Sequence, residues 1–363
     1  MAKQAANAQE DGRGAGRTAP QVVLWMEGER GPRFALDTAG IERAGGVTRF
    51  VACRTDAERL EAVAGARILV AAHVRITEDL YRAGPRLAGV IRTGIGLDTV
   101  DIPAATRAGV CIAHVPDFCY DEVADSTWTL LLAVARKLPE AGRRVRSGEW
   151  VPNNLLPVHS LRGRTLGLVA FGHIGRKVAE RGRAFGMRII AADPYLDEAA
   201  MAKEGVEKVS LEDLLGRADV VSLHTPLTPE TRGLINAAAL ARMKPGAILI
   251  NTSRGPVVDE PALIEALRAG RLAGAGLDVL ASEPPAKDNP LFAMENVVLT
   301  PHSSSTTVEA LEDLARKVSM QVVQMLRGEW PTYLANRAVQ KESNVRLTAG
   351  RVAPSGRGGA AAS

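Results

Sequence analysis

The run Gly167-Leu168-Val169-Ala170-Phe171-Gly172-His173-Ile174-Gly175 narrows the possible folds of this chain more than any other stretch. An apolar segment from Thr165 ends in a turn of small residues, and helical spacing follows from Ile174 to Phe185. A second apolar run, Arg188 to Ala192, stops at Asp193, 18 residues after Gly175. Strand, turn, helix and strand in that order make a parallel βαβ unit, since parallel neighbours need a long crossover between them. The alternation continues with a helix at Leu211–Arg217 and a strand at Asp219–His224, then a helix at Ala237–Met243 and a strand at Ala247–Asn251. A helix at Glu260–Ala269, strands at Gly274–Val279 and Val297–Leu299, and a long helix from Val308 to Arg327 complete the series. These segments predict an α/β fold with a doubly wound parallel sheet and short connections. Upstream, apolar runs at Val22–Trp25, Ile68–Ala72 and Gly89–Ile91 alternate with helical spacing such as Ala57–Val63, the same kind of pattern. The helix read from Glu122 to Arg136 is apolar around most of its circumference, which predicts burial between layers.

A length of 363 residues fits two domains better than one, and 46 % hydrophobic with 24 % charged residues excludes wholesale disorder. No run approaches the roughly 18 apolar residues of a membrane span, and Met1–Pro20 lacks the apolar core of a signal peptide. Cys53, Cys111 and Cys119 have neither metal nor redox spacing, which points to reduced thiols in the cytoplasm. The formal net charge of +4 invites a nucleic-acid reading until it is located: residues 1–20 carry +1 and 337–363 carry +4, leaving −1 for the rest. Both ends are rich in Gly, Ala, Ser and Arg, the composition of disordered tails. The body is neutral, so neither nucleic acid nor membrane is expected as a partner.

The turn after the first strand matches a dinucleotide fingerprint as A-x-G-x-x-G, with Ala170 in place of the first glycine, a small-for-small change expected to be tolerated. Gly172 lets backbone approach a pyrophosphate, Gly175 lets the helix pack on the sheet, and the helix N-terminus offers N–H groups to phosphate. Asp193 is placed to accept hydrogen bonds from ribose hydroxyls and to repel a 2′-phosphate, and no Arg follows in Pro194-Tyr195-Leu196. NAD is therefore expected over NADP.

Three polar residues follow strands of the same sheet, at the edge where ligands bind in such folds: Arg254 after Asn251-Thr252-Ser253, Glu283 after Asp278-Val279, and His302 after Thr300-Pro301. Singly, each reads as a solvated loop residue. Together, beside a dinucleotide site, they suit hydride transfer at a carbon bearing oxygen. Histidine moves the proton, a carboxylate tunes and orients the imidazole, and a guanidinium binds a substrate carboxylate and polarises the carbonyl. That chemistry needs no metal, and no Cys/His cluster suggests one.

The chain resembles the D-isomer-specific 2-hydroxyacid dehydrogenases, a family that includes phosphoglycerate dehydrogenase, formate dehydrogenase and the C-terminal-binding proteins. The resemblance is carried by Thr93-Gly94-Ile95-Gly96-Leu97-Asp98, Val115-Pro116-Asp117-Phe118-Cys119, the fingerprint, His224-Thr225-Pro226-Leu227-Thr228, Asn251-Thr252-Ser253-Arg254-Gly255 and Thr300-Pro301-His302, in family order over roughly residues 68–335. It implies Arg254, Glu283 and His302 as catalytic residues, with His302 the acid/base, and substrate contacts from Thr93, Gly94, Ile95, Gly96 and Arg254. For the cofactor it implies His173 and Ile174 with Gly172 and Gly175 at the pyrophosphate, and Asp193 at the ribose. Ile95, His224, Thr225, Pro226, Thr252, Ser253 and His302 would line the groove, with Asp278 near the nicotinamide amide. It also implies two Rossmann-like domains, one flavodoxin-like and one NAD-binding, with a cleft between them. The first would comprise residues 21–118 plus 307–336 and the second 119–306, flanked by disordered tails at 1–20 and 337–363. A homodimer through the NAD-binding domains and a 2-hydroxy or 2-oxo acid substrate (phosphoglycerate, glyoxylate, hydroxypyruvate or similar) complete the implications. The C-terminal-binding proteins set an alternative, an NADH-responsive binding or dimerisation protein, supported by Val115–Cys119 and the following Glu122-Val123-Ala124-Asp125.

His73, His114 and His159 have no partner pattern and default to structural or surface roles. Arg143-Arg144-Val145-Arg146 reads as a solvated helix face. Ser303-Ser304-Ser305 stand where relatives often have Gly or Ala, and solvation of the loop is the favoured reading.

Overall fold

Residues 21–27, 34–72 and 74–347 are described by a computed structural model of the chain. Residues 1–20, His73 and residues 348–363, for which the sequence carries expectations, lie outside the described residues. The described residues fall into two compact units, one formed by those up to 93, 99–115 and 315–347, the other by 94–98 and 116–314.

The first unit holds five strands, β1 (Gln21–Glu27), β2 (Gly46–Ala52), β3 (Ala66–Ala71), β4 (Gly89–Arg92) and β5 (Cys111–Ala113). They pair in parallel in the order β2-β1-β3-β4-β5, the flavodoxin-like arrangement. The central strand β3 is buried along almost its whole length, as the all-apolar Ile68-Leu69-Val70-Ala71 requires of a strand covered on both faces.

Residues 337–347, expected to begin a disordered basic tail, are instead ordered in this unit. A short 3₁₀ turn at Arg337–Lys341 buries Val339, and Leu347 is buried beyond it. Arg346 donates to the carbonyls of Tyr81, Gly84 and Leu87 at 3.3, 2.8 and 3.4 Å. The correction has a simple cause: two apolar anchors and one arginine do not change the average composition of the segment, but they are enough to dock it.

The second unit holds β6 (Thr165–Val169), β7 (Arg188–Ala192), β8 (Glu207–Lys208), β9 (Val220–Leu223), β10 (Ala247–Asn251), β11 (Leu272–Leu277) and β12 (Val297–Leu299). All neighbours are parallel, in the order β12-β11-β10-β9-β6-β7-β8. Strand order reverses between β6 and β9, where Val169 lies opposite Leu223. Such a switch point opens the crevice in which dinucleotides bind.

The strands split their side chains between two cores with a period of two. Leu166, Leu168, Ile248 and Ile250 face a cluster with Trp128, Leu131 and Val178. Val169, Ala247 and Leu249 face the opposite cluster, with Leu214, Leu240 and Leu263. The long apolar helix runs from Tyr120 to Ala135 and buries eight residues, including Trp128 and Leu131. Its remaining face carries Asp121 and Asp125, which pair with Lys177 and Arg181 of the fingerprint helix. Among the described residues no helix is long and apolar enough to cross a membrane.

Candidate active site

The nucleotide crevice begins where β6 ends. Ala170 turns the chain with φ +72°, in the left-handed region, and Gly172 caps the helix His173–Ala184 without a side-chain cap. The first turn of that helix holds no acidic residue, so none of its own side chains neutralises its N–H groups and positive dipole end. A Cβ on Gly172 would meet nothing within 4 Å, while one on Gly175 would lie 2.8 Å from the Ala170 carbonyl oxygen. The first glycine thus borders open space and the second permits close packing. The His173 ring stacks on Tyr120 with centroids 4.7 Å apart. At the end of β7, Asp193 accepts the Phe171 N–H on Oδ2 at 2.9 Å and the Tyr195 N–H on Oδ1 at 2.8 Å. The carboxylate is thereby tied to the fingerprint turn.

Across the switch point, His224 follows β9 and its Nε2 lies 3.0 Å from Ser222 Oγ. Burial pushes its imidazole down to about 4, so it is neutral at physiological pH. Next to it Thr225 Oγ1 is buried with no hydrogen-bond partner among the described residues, an unmet requirement that a ligand's polar atoms would satisfy. Thr252 Oγ1 is engaged with Thr127 Oγ1 at 2.9 Å, and Pro226 accepts Thr231 Oγ1 at 2.7 Å through its carbonyl. The uncapped helix, the space over Gly172, the tied Asp193 and the unpartnered Thr225 hydroxyl fit a dinucleotide.

Glu283 and His302 stand on the loops after β11 and β12. His302 Nδ1 lies 2.6 Å from Glu283 Oε2. Burial raises the Glu283 carboxyl, yet the hydrogen bond and charge of His302, the Leu280 N–H and the Arg254 charge together bring it below the ordinary carboxylate value. An ionised carboxylate only accepts, which assigns the proton of the pair to Nδ1 and leaves Nε2 as the ring nitrogen for proton exchange. His302 adopts φ +51°, a left-handed conformation disfavoured for a residue with a Cβ. Asp278 holds it there. The Asp278 carbonyl takes the His302 N–H at 2.8 Å, and its buried carboxylate takes the Thr300 hydroxyl at 2.6 Å and the Ser303 and Ser304 N–H groups at 2.9 and 3.1 Å. Ser304 Oγ is buried without a hydrogen-bond partner among the described residues, so that hydroxyl does not solvate the loop.

Arg254 follows β10 in a turn organised by Asn251, whose amide donates to the Arg254 carbonyl at 2.9 Å and whose Oδ1 accepts the Ser253 N–H and hydroxyl at 3.0 and 2.8 Å. Its guanidinium donates from Nε to Asp98 Oδ1 at 3.0 Å and from Nη1 to the Ser253 carbonyl at 2.7 Å. Gly94, Ile95 and Gly96 belong to the same unit as Arg254. Thr93 belongs to the other, buried and bonded to the Ala71 carbonyl. Sequence reasoning named Arg254, Glu283, His302 and Asp278 but missed what Asp98, Asn251 and Thr300 do. All three lie inside the quoted motifs, the one signal that could have singled them out. Among the histidines set aside, His159 is exposed, and the carbonyl of His114 accepts the Gln321 amide at 3.0 Å.

Residues 128–304 match the model of the D-isomer specific 2-hydroxyacid dehydrogenase NAD binding domain. The D-3-phosphoglycerate dehydrogenase of Methanocaldococcus jannaschii is 40 % identical over 284 residues, 78 % of this chain and 54 % of that protein. The glyoxylate reductase of Korarchaeum cryptofilum is 43 % identical over 270 residues, 73 % of this chain and 81 % of that protein. Among solved structures, the D-lactate dehydrogenase of Aquifex aeolicus, complexed with NAD and lactic acid, superposes with a TM-score of 0.75 at 28 % identity, covering 85 % of this chain and 96 % of that one. The chain thus spans about half the length of the phosphoglycerate dehydrogenase it matches and about four fifths of the glyoxylate reductase.

Proposed function

The chain belongs to the D-isomer specific 2-hydroxyacid dehydrogenase family of nicotinamide-dependent oxidoreductases, and from that premise we propose that it interconverts a small D-2-hydroxy acid and its 2-oxo acid. The observation that carries the reading is the 2.6 Å contact of His302 with Glu283, on the sheet edge that also bears Arg254. The nicotinamide, when bound, supplies or accepts the hydride. In the direction of reduction, His302 gives the proton from Nε2 to the carbonyl oxygen, while Glu283 holds Nδ1 and balances the imidazolium charge. Arg254 binds the substrate carboxylate and polarises the carbonyl through its Nη groups. In oxidation the same nitrogen takes the hydroxyl proton. Purified protein is expected to oxidise NADH with at least one of glyoxylate, hydroxypyruvate, pyruvate or a bulkier 2-oxo acid. His302→Ala is expected to lose at least about 100-fold in kcat while NADH still binds. Wild-type kcat in that variant would remove His302 from the mechanism.

NAD is proposed over NADP because Asp193, tied to both flanking backbone segments, keeps a carboxylate where a 2′-phosphate would have to sit. Fluorescence titration tests this: NADPH binding as tightly as NADH would contradict it. A homodimer through the second unit is supported by Leu138, Val145, Trp150, Val151 and Leu156, all large, apolar and exposed within one short stretch. Light scattering should give twice the chain mass, and a monomer at micromolar concentration would reject the assignment. A cytoplasmic setting is supported by three buried thiols with no disulfide between them, and cell fractionation would expose an error there.

A further inference from the structure

We propose that Asp98 and Gly96 form a seat that fixes the direction of the Arg254 guanidinium, making both of them positioning residues for the substrate carboxylate. The inference rests on the reading of Arg254 as the carboxylate-binding group. An arginine side chain has four rotatable bonds, and a site that leaves it loose must order it each time substrate binds. Here both ends are held. The backbone of Arg254 is anchored by the Asn251 amide, and the far end is gripped by the Nε to Asp98 Oδ1 hydrogen bond at 3.0 Å and the Nη1 to Ser253 carbonyl bond at 2.7 Å. Both partners of the ion pair are mostly withdrawn from water, with 21 % and 19 % of their side-chain surface exposed.

Gly96 is the floor of the seat. A Cβ there would lie 1.7 Å from Nη2 and 2.8 Å from Cζ of Arg254, and 2.7 Å from Asp98 Oδ1. No side chain is tolerated at that position with the guanidinium where it is. Of the five N–H donors of the guanidinium, Nε and one on Nη1 are committed. The rest, two on Nη2 and one on Nη1, make no hydrogen bond to the described residues and are left for a carboxylate, which a guanidinium receives through parallel N–H bonds.

Asp98 is otherwise a paradox. A carboxylate beside the residue that recruits a substrate carboxylate repels that substrate. If Asp98 acted only as a charge, its removal would tighten substrate binding; if it acts by holding Nε, its removal loosens it. The sign of the effect on KM therefore separates the two.

The experiment uses the full chain, with NADH affinity followed by fluorescence, turnover on the 2-oxo acid panel, and binding of oxamate, a non-reducible 2-oxo acid analogue, to the NADH complex. Asp98→Ala should raise KM and the oxamate Kd by about 10- to 100-fold, with the NADH Kd within about 2-fold of wild type. Asp98→Asn retains an acceptor for Nε and discards the charge, so it should recover most of that loss. Gly96→Ala should raise KM comparably, by lifting Nη2 from its seat, and it decides the matter if Asp98→Ala does not fold. In an Arg254→Ala background, Asp98→Ala should add nothing. A KM at or below wild type in Asp98→Ala or Gly96→Ala, or an undiminished loss in the Arg254→Ala background, overturns the seat. Wild-type protein that neither turns over nor binds oxamate overturns the reading of Arg254 and the seat with it. Wild-type turnover with an indifferent Asp98→Ala overturns the seat alone.

Discussion

At the scale of single residues, Ala170 carries a strain that its size conceals. Replacing a fingerprint glycine by alanine is mild in volume, but at φ +72° the added Cβ crowds the backbone at a cost of about 1 kcal/mol. Ala170→Gly should therefore stabilise the protein by roughly 0.5–1 kcal/mol in chemical denaturation, the relief being partly offset by the greater freedom of glycine in the unfolded chain. A loss of stability in that variant would show that the left-handed turn is not strained. The same contrast between type and conformation governs how much of the site was legible. Arg254, Glu283 and His302 could be named because their chemistry and their places after strands both show in the sequence. That Asp98 grips Arg254 could not, because residues 156 positions apart reveal no contact in one sequence. The left-handed φ of His302 was hidden for the same reason, since it depends on a distant Asp278.

Among the elements, the loop from Thr300 to Ser304 is built on one carboxylate. Asp278→Asn keeps an oxygen for Thr300 and Ser303 but turns an NH₂ toward the Ser304 N–H, donor against donor. Loss of one such bond costs about 1–2 kcal/mol, so kcat should fall by about 10-fold as His302 loosens, and an unchanged kcat would show that the loop holds its shape without Asp278. Strands covered on both faces, such as β6, β7 and β10, were readable as apolar runs because burial leaves them no polar positions. The edge strand β2, Gly46-Val47-Thr48-Arg49-Phe50-Val51-Ala52, was not, since most of its residues are only partly buried or exposed and its pattern imitates a loop. The segment at 337–347 was misjudged by composition for the opposite reason, a few anchors within a polar stretch. Arg346 there caps the C-terminal end of the helix Glu78–Ala83 through the Tyr81 and Gly84 carbonyls and reaches the Leu87 carbonyl beyond it, and a cation at that end is favoured by the helix dipole. Arg346→Ala should lower stability by about 1–3 kcal/mol, measurable by denaturant titration, and a midpoint unmoved from wild type would return the segment to the status of a passive tail.

For the whole molecule, the response to acid can be followed through three titrating groups of the unit that holds the nucleotide crevice. His224 sits with its imidazole pushed down to about 4 by burial, whereas in the unfolded chain it titrates near 6.5. Between those values the unfolded state binds the extra proton, so stability rises with pH. The contribution is complete above about 6.5 and is lost as pH falls toward about 4. Glu283 and Asp219 work in a lower window. Burial raises both, and their partners more than reverse that: His302, the Leu280 N–H and Arg254 for Glu283, and the Thr165 N–H, Lys244 and Arg164 for Asp219. Their stabilisation is present above the ordinary carboxylate range and disappears only below it. Of these three groups, His224 is the first to lose its contribution on acidification. The expected size of that loss between pH 7 and pH 5 is about 1–2 kcal/mol, allowing for partial solvent access. His224→Gln, which keeps a polar side chain beside Ser222 but cannot take a proton, should flatten the stability profile over that interval and leave the steeper decline below pH 4.5 in place. A variant with the wild-type slope from pH 7 to 5 would assign the early loss to another group and deny His224 its neutral place beside the crevice.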